Sequence, residues 1–151
     1  MHKDQITKQG FTIIELIVSI VIIGILVTIM IVSYTGIQQR SRDSKRSSDI
    51  TQLSIAIEKY HSEKSQYPSA CSGGDGVECA ASSLGTILSP YLATVPHDPK
   101  NTVDSATDYR YIRGLVTTDS YGLLANYEAK PICKTGQNIT TTWWSASYLA
   151  C

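Results

Sequence analysis

The sequence predicts an α+β protein in which one long N-terminal helix packs on a small antiparallel β-sheet. An almost unbroken apolar run covers residues 11–32, and an amphipathic pattern follows it with no proline before Pro68. Segments with strand-like alternation lie in the last third of the chain. Helical and strand segments that are segregated along the chain in this way are typical of the α+β class.

The apolar run is long enough to cross a membrane as a helix. No residue from Leu16 to Val32 is charged, and about 20 apolar residues suffice for a span. Glu15 lies directly before this uncharged stretch. A carboxylate at the bilayer centre costs about 2.5–3.5 kcal/mol, and less towards the interface. We therefore expect Glu15 to have a partner and a function.

The start of the run has a specific pattern, in which Gly10 is followed by Phe11, Thr12 and, at the fifth place after the glycine, Glu15. This pattern resembles the class III signal of type IV pilins and of the related pseudopilins of secretion and competence systems. The resemblance implies that a prepilin peptidase cleaves between Gly10 and Phe11 and methylates the new amino group of Phe11. It also implies that Glu15 supports assembly by pairing with the N-terminal amine of a neighbouring subunit. Ordinary secretory signals are cleaved after their apolar region, whereas cleavage here leaves the helix on the mature protein.

The pilin fold implied by this resemblance divides the chain into four parts. They are a leader at 1–10, a membrane-spanning and filament-core half-helix at 11–35, an amphipathic half-helix at 36–66, and a globular head at 67–151. Helical spacing of apolar residues marks the core-facing side of the amphipathic half at Ile50, Leu53, Ala56, Ile57 and Tyr60. Gly24 is the expected weak point if the helix melts locally on assembly.

The head is predicted to contain loops, a short helix and a sheet. Tyr67-Pro68 is expected to end the long helix, the segment 84–91 to form a short helix or turn, and 95–99 to form a rigid proline-bounded turn. Strands are predicted at 109–113, 121–128 and 140–149 from their alternation and their aromatic content.

Four cysteines follow the membrane segment, and none is in a CxxC pair typical of zinc or thioredoxin-like sites. An even number in a small exported domain indicates disulfides, for which three pairings are possible. Proximity in sequence favours Cys71 with Cys79 and Cys133 with Cys151. Four free thiols in a cytosolic domain are the alternative.

Basic residues flank the span on both sides, and more of them follow it than precede it. The cluster after the span is Arg40, Arg42, Lys45 and Arg46, which the positive-inside rule would place in the cytoplasm. The cysteines and the family resemblance favour the opposite orientation, with the head outside. We expect the cluster to be a solvated helix face or a contact with lipid headgroups rather than a nucleic-acid site, since the formal net charge of the chain is zero.

Catalytic and cofactor sites are not evident in the sequence. Neither His61 nor His97 has a nucleophile at a suggestive spacing, so both are interpreted as surface residues, and no cofactor is expected. The densest set of oxygen ligands comprises Asp98, Asn101, Asp104 and Asp108. Calcium takes such ligands, but the spacing matches no EF-hand and the residue types are common in loops, so we expect no metal.

The function favoured by the resemblance is that of a structural subunit of a type IV pilus, which polymerises through its helix into a surface filament for adhesion, motility or uptake. The alternative is a pseudopilin or minor pilin of a type II secretion or DNA-uptake system. The resemblance implies a homo-oligomeric helical filament, a prepilin peptidase, an assembly platform and membrane lipid as partners. It places the chain in the cytoplasmic membrane before assembly and at the cell surface afterwards. A membrane-anchored enzyme or ligand-binding protein is a third hypothesis, which leaves Glu15 and the Gly10-Phe11 junction unexplained.

Overall fold

The structure is a computed structural model. It describes residues 10–100, 108–115, 119–139, 143 and 149–150. The chain forms two units, one up to Gln38 and the other from Gln39 onwards. Each unit is described separately below.

Helix α1 comprises Ile13–Lys64, a total of 52 residues. Its first part lies in the first unit and has no packing partner there. Every large apolar side chain from Ile13 to Ile31 is at least 46% exposed. Among the described residues, α1 is the one helix that is long and apolar enough to cross a membrane.

Two hydroxyl groups in the apolar part of α1 are satisfied within the helix. The Ser19 hydroxyl donates to the Glu15 carbonyl oxygen at 2.7 Å, and the Thr28 hydroxyl donates to the Gly24 carbonyl oxygen at 2.8 Å. Such bonds to the carbonyl four residues earlier allow polar side chains on a helix in a medium that offers no other partner.

Helix α1 ends at Lys64 because Ser65 adopts a left-handed backbone conformation with φ of 54°. The Ser65 N–H donates to the His61 carbonyl oxygen at 2.8 Å, which satisfies one of the free carbonyls at the helix end. The predicted stop at Tyr67-Pro68 therefore lies only a few residues beyond the observed one.

The second unit packs the later part of α1 against a five-stranded sheet. The strands are β1 (Cys79–Ala80), β2 (Arg110–Arg113), β3 (Tyr121–Ala125), β4 (Cys133–Gln137) and β5 (Leu149–Ala150), and they lie side by side in that order. A short 3-10 helix, Ala81–Leu84, and helix α2, Gly85–Leu88, separate β1 from β2. The sheet is antiparallel up to β4, as predicted, but β5 pairs with β4 in parallel.

Helix α1 contributes one face to the hydrophobic core. Its residues Ile50, Leu53, Ala56 and Ile57 are at most 3% exposed, and Tyr60 packs against them at the edge of the core. The predicted apolar face is thus the buried one. Across from it lie Tyr67, Ala81, Leu84, Leu88, Val95, Tyr109, Tyr111, Tyr121, Leu123 and Ala125.

Buried tyrosines in this core have partners for their hydroxyl groups. The Tyr109 hydroxyl donates to Asp49 at 2.9 Å, the Tyr111 hydroxyl donates to the Pro68 carbonyl at 2.8 Å, and the Tyr121 hydroxyl lies 2.8 Å from that of Ser54. A buried phenol without a partner would be costly. These bonds therefore fix how α1 and the loop after it lie on the sheet.

Gly136 is required where β3 and β4 pair closely. It pairs with Gly122 and has a φ of 150°. A Cβ at residue 136 would lie 2.1 Å from the Tyr121 carbonyl oxygen, closer than any real contact. The two backbones can approach this closely because residue 136 has no side chain.

The strand predictions were right for two segments, and a third lies mostly outside the described residues. Strands β2 and β3 lie within the predicted 109–113 and 121–128, and the short helix predicted in 84–91 is present. Strand β4 was missed. Of the strand predicted at 140–149, the structure describes only Trp143, which is not in a strand, and Leu149, where β5 begins.

Candidate processing and assembly site

The chain before α1 is exposed where the sequence predicts processing. Gly10 has no other residue near the position of a Cβ, and Phe11 is 83% exposed. Thr12 follows outside regular secondary structure, and the helix begins at Ile13. The peptide bond between Gly10 and Phe11 therefore lies in non-helical chain outside any packed core.

Thr12 and Glu15 form a reciprocal cap on the first turn of α1. The Glu15 carboxylate accepts a hydrogen bond from the Thr12 backbone N–H at 2.8 Å and another from the Thr12 hydroxyl at 2.7 Å. The Glu15 N–H in turn donates to the Thr12 hydroxyl oxygen at 3.3 Å. This is the geometry of a capping box, which satisfies two of the unpaired N–H groups at a helix start.

The cap gives Glu15 a partner within its own chain. A carboxylate in the first turn is also favoured by the positive end of the helix dipole. Neither effect neutralises the charge, so the exposed carboxylate still offers an acceptor to a cation of another molecule. The partner that Glu15 was expected to have is thus, within one chain, Thr12. The signal that could have identified it is the Thr-x-x-Glu spacing.

In the second unit, an ion cluster with a buried centre ties α1 to two loops. It consists of Arg42, Asp43, Arg46, Asp98, Lys100 and Glu128, and we refer to it as the Arg46 cluster. Its central residue is Arg46, whose side chain is 3% exposed. Three cations face three carboxylates, so the charges balance.

Arg46 contacts all three carboxylates of the cluster. Its guanidinium binds Asp98 with two parallel bonds, Nε to Oδ2 at 2.5 Å and Nη2 to Oδ1 at 2.9 Å. Its Nη1 donates to Asp43 at 2.7 Å and to Glu128 at 2.9 Å. A buried charge is stable only with this degree of pairing.

Glu128 has two further cationic partners. Arg42 forms a two-pronged pair with it, at 2.6 and 2.7 Å, and the Lys100 ammonium lies 2.6 Å from its Oε2. The hydrogen bonds from Arg42, joined by those from Lys100 and Arg46, hold the pKa of Glu128 far below its ordinary value against the opposing effect of burial. Glu128 is therefore ionised at neutral pH.

Asp43 connects the same cluster to the backbone. Its carboxylate accepts hydrogen bonds from the N–H groups of Glu128 at 2.9 Å and Ala129 at 2.8 Å. Burial by itself would raise the pKa of Asp43, but these bonds and the bond from Arg46 outweigh burial and lower it. The loop after β3 is thereby fastened to α1.

The expected role of the basic residues after the span is wrong for two of the four. Arg42 and Arg46 belong to the Arg46 cluster and hold the second unit together. Lys45 is 59% exposed and pairs within α1 with Asp49 at 3.1 Å, and Arg40 is also exposed, so these two fit the expected solvated helix face. Arg46 falls on the helical stripe that continues as Ile50, Leu53 and Ile57. A charge on an otherwise apolar stripe was the signal that sequence reasoning missed.

Disulfides are present in the second unit. Cys71 and Cys79 are bonded, as predicted, with their Cα atoms 5.4 Å apart. Cys133 is also disulfide-bonded. Its expected partner, Cys151, lies outside the described residues.

The acidic set weighed as a calcium site is only partly described. Both oxygens of Asp98 bind Arg46, while Asp108 accepts from the N–H groups of Asp98 and Tyr109. Asn101 and Asp104 lie outside the described residues. Within the part of the chain that the structure describes, no cluster of His, Cys, Asp or Glu is placed to hold a metal ion.

Both histidines singled out in the sequence contact carboxylates at 2.8 Å. His97 is paired with Asp108, and His61 with Asp119. His61 also stacks on the Tyr67 ring, with ring centroids 4.2 Å apart. These contacts join the histidines to neighbouring loops.

Comparison with known proteins concentrates on the N-terminal segment. Residues 7–31 match the family described as the prokaryotic N-terminal methylation motif. This match covers the Gly10-Phe11 junction, the Thr12–Glu15 cap and most of the apolar run. No solved structure shows a significant match to the chain.

Curated relatives extend the similarity beyond this motif. The type II secretion system core protein G of Aeromonas hydrophila is 29% identical over 96 residues, which are 61% of this chain and 67% of the relative. The protein of the same name from Vibrio cholerae is 26% identical over 113 residues, 73% of this chain and 74% of the relative. The type IV major pilin protein PilA of Myxococcus xanthus is 39% identical over 60 residues, 40% of this chain and 27% of the relative. The chain spans about half the length of several other core G proteins that it matches.

Proposed function

Because the chain belongs to the type IV pilin and type II pseudopilin family, we propose that it polymerises through its N-terminal helix into a helical filament. Proteins of this family are structural subunits, and the chain is not an enzyme. The observation that carries the proposal is the first part of α1. It exposes an apolar surface over its whole circumference and has one capped carboxylate at its start. Such a helix needs either lipid or other helices around it.

Processing is the first step of the proposed mechanism. A prepilin peptidase cleaves between Gly10 and Phe11, and the new amino group of Phe11 is methylated. The exposed, non-helical position of this junction allows a protease to reach it. The matched methylation motif supports the same step.

Assembly follows from the charge that cleavage creates. A free amine at Phe11 is cationic and lies at the same depth as Glu15, so each group lowers the cost of burying the other in an apolar filament core. In the single chain the Glu15 carboxylate is held by Thr12. In the filament, the amine of a neighbouring subunit adds a charged partner to this carboxylate.

Among filaments of this family, we favour a pseudopilus of a type II secretion system. The alignment with the Vibrio core G protein covers 113 residues. It therefore extends beyond the 64 residues that end with α1 and includes much of the second unit. A pilus subunit, the role that the sequence first favoured, is the second candidate, because of the 39% identity with the Myxococcus pilin. A minor pilin of a pilus or a DNA-uptake system belongs to the same class.

The membrane is the proposed location before assembly, with the second unit on the outer side of the cytoplasmic membrane. Disulfides persist in oxidising compartments, and the bond between Cys71 and Cys79 fits that side. The assembly platform of the filament and membrane lipid are the further partners proposed.

The mature N-terminus tests the proposal. Mass spectrometry of the membrane-extracted protein should find methylated Phe11 as the first residue. Gly10→Val should leave the precursor unprocessed. Gly36→Val, at a glycine of α1 that also has open space around it, should be processed normally. Processing of both variants alike would favour a simple membrane anchor, as in an enzyme or ligand-binding protein.

The amount of protein in sheared filaments distinguishes the two candidate roles. A pilus subunit should dominate the sheared fraction from cells at natural expression levels. A pseudopilin should remain in the envelope and be required for secretion of folded proteins. Loss of secretion without loss of surface filaments would assign the chain to the pseudopilus.

A further inference from the structure

Three large apolar side chains are exposed in the described part of the second unit. Leu115 is 72% exposed, Ile55 51% and Val77 44%. Single exposed residues of this kind are common. Here, however, Val77 and Leu115 both pack on the loop closed by the disulfide, and Ile55 lines a groove elsewhere.

We call the side chains of Val77 and Leu115 the knob. The Leu115 side chain covers Gly76, since a Cβ at Gly76 would lie 2.9 Å from the Leu115 Cβ. The Val77 side chain covers Gly73, where a Cβ would lie 2.8 Å from Val77 Cγ1. Both aliphatic side chains therefore pack on the loop closed by the disulfide between Cys71 and Cys79.

Three ties hold the knob in place besides the disulfide. Arg113 binds Asp75 through two parallel bonds of 2.6 and 2.5 Å, the Gly76 N–H donates to the Arg113 carbonyl at 2.8 Å, and the Gly74 N–H donates to the Cys71 carbonyl at 2.9 Å. A loop that is fixed this firmly loses little conformational entropy when it binds. Rigid exposed aliphatic groups are suited to docking.

The groove lies between α1 and the chain around β4 and has a volume of about 220 Å³. Its lining combines aliphatic side chains with hydroxyl groups, namely Ser47, Ile50, Thr51, Ser54, Ile55, Tyr127 and Thr135. Among the residues that the structure describes, no charged side chain lines it. It has room for aliphatic side chains of the kind that form the knob.

The knob and the groove belong to different parts of the sheet. The knob is joined to β1 and to the end of β2, whereas the groove borders β4, and β3 lies between them. When two different surfaces of the same chain bind each other, the contact is head-to-tail and adds copies without closing. A two-fold symmetric dimer would instead require one self-complementary patch.

Charges beside the two surfaces are of opposite sign. Glu78 follows Val77 and is exposed, although it also pairs with Arg110 at 2.9 Å. Lys130 lies over the ring of Tyr127, with its ammonium 5.8 Å from the ring centre, and Tyr127 lines the groove. This complementarity favours a second copy of the same chain as the occupant.

We infer that the knob of one subunit, Val77 and Leu115, docks into the groove around Ile55 of the next subunit, with Glu78 facing Lys130. The inference rests on the proposed function, since it adds a contact between the second units to the contact between apolar helices.

Cross-linking in assembled filaments tests this contact. A chain with both Leu115→Cys and Ile55→Cys, treated with a short bis-maleimide, should give a ladder of dimers, trimers and larger species. A mixture of the two single variants should give dimers only. The pair Leu115→Cys with Ser62→Cys is the matched control. Ser62 is exposed on α1 two turns beyond Ile55 and outside the groove, so this pair should give no ladder.

Two results would overturn the inference. Intact filaments that give no ladder with the Ile55 pair would show that the second units meet elsewhere. Dimers from Leu115→Cys alone would show a symmetric contact. If the wild-type chain itself forms no filament with its assembly machinery, the proposed function fails. Intact filaments that give no ladder refute only this contact, so the two failures are distinguishable.

Charge reversal provides an independent measurement. Glu78→Lys and Lys130→Glu should each lower the yield of sheared filaments about tenfold, because like charges would then face each other across the contact. The double variant should recover most of the wild-type yield. Equal melting temperatures of the purified variants would show that the losses do not come from unfolding. If the filament yield of the double variant falls by the combined losses of the two single variants, Glu78 does not face Lys130 across the contact.

Discussion

Arg46 and Asp98 form a buried, two-pronged ion pair, although 52 residues separate them in the sequence. Their side chains are 3% and 2% exposed. The pair joins the middle of α1 to the proline-bounded turn that precedes the main strands. The same guanidinium also binds Asp43, which lies on α1 itself, and Glu128. Through Asp98 and Glu128, Arg46 therefore fastens two separate loops to the helix.

Replacement of Arg46 by methionine should destabilise the second unit strongly. The change leaves the buried carboxylates of Asp98 and Asp43 without their main cation, and loss of one partner of a buried pair costs about 3–5 kcal/mol. Chemical denaturation of the detergent-solubilised chain measures the free energy of unfolding. Arg40→Met, at an exposed position on the same helix, should change it by less than about 0.5 kcal/mol. Equal stabilities of the two variants would contradict the structural role of Arg46.

Acid should weaken the same cluster through Glu128. Its pKa is lowered in the folded chain, chiefly by Arg42, so its contribution to stability is complete above the unfolded pKa of about 4.3. That contribution is lost as the pH falls towards the folded pKa. Wild-type protein should therefore be more stable than Glu128→Gln at pH 7, and the difference should shrink steadily below about pH 5.

Thermal melts of the two proteins from pH 7 to about pH 3 provide the measurement. Glu63→Gln is the control, because Glu63 is exposed and accepts a hydrogen bond from Tyr91 outside the cluster. The control should follow the wild-type curve. A constant difference between wild type and Glu128→Gln over the whole range would mean that the stability does not depend on ionisation of Glu128.

Alanine substitution at two glycines should have opposite effects. Gly136→Ala places a methyl group against the Tyr121 carbonyl oxygen and should cost at least about 2 kcal/mol. Gly85→Ala lies in helical backbone with open space around it, and should stabilise by about 0.4–1 kcal/mol by restricting the unfolded chain. Denaturant titration of both variants checks the signs. Equal changes in the free energy of unfolding would show that the backbones of β3 and β4 leave room for a methyl group at residue 136.

The parts of the fold that depend on local pattern could be predicted from the sequence. Helix α1 follows from an apolar run and a 3.6-residue period without proline, and the spacing of Ile50, Leu53 and Ile57 identifies its buried face. Strands β2 and β3 alternate clearly. The disulfide of Cys71 with Cys79 follows from the short separation of the two residues.

The parts that depend on distant partners could not be predicted. Strand β4 has the sequence Cys-Lys-Thr-Gly-Gln, which has little intrinsic strand preference, and it forms because β3 offers an edge to pair with. The Arg46 cluster unites residues up to 86 positions apart, so no local spacing indicates it. Within the candidate site, Glu15 was recognised, but its pairing with Thr12 was missed although the Thr-x-x-Glu spacing indicates it.

Substitutions at Glu15 separate its two roles, because glutamine preserves one of them. A glutamine at the third helical position can still bond the cap residue's N–H, so Glu15→Gln should retain the helix start but lose the negative charge. Glu15→Val loses both. If pairing with a neighbour's N-terminal amine is the assembly contact, both variants should be processed to Phe11 and yet give few or no filaments. Thr12→Val, which removes only the hydroxyl part of the cap and costs about 1 kcal/mol, should assemble nearly normally.

Filament yield after shearing, with mass spectrometry of the N-terminus, measures both steps. Wild-type yield from Glu15→Gln would show that Glu15 acts as a helix cap, and would leave the charge of the cleaved amine to be paired by another group.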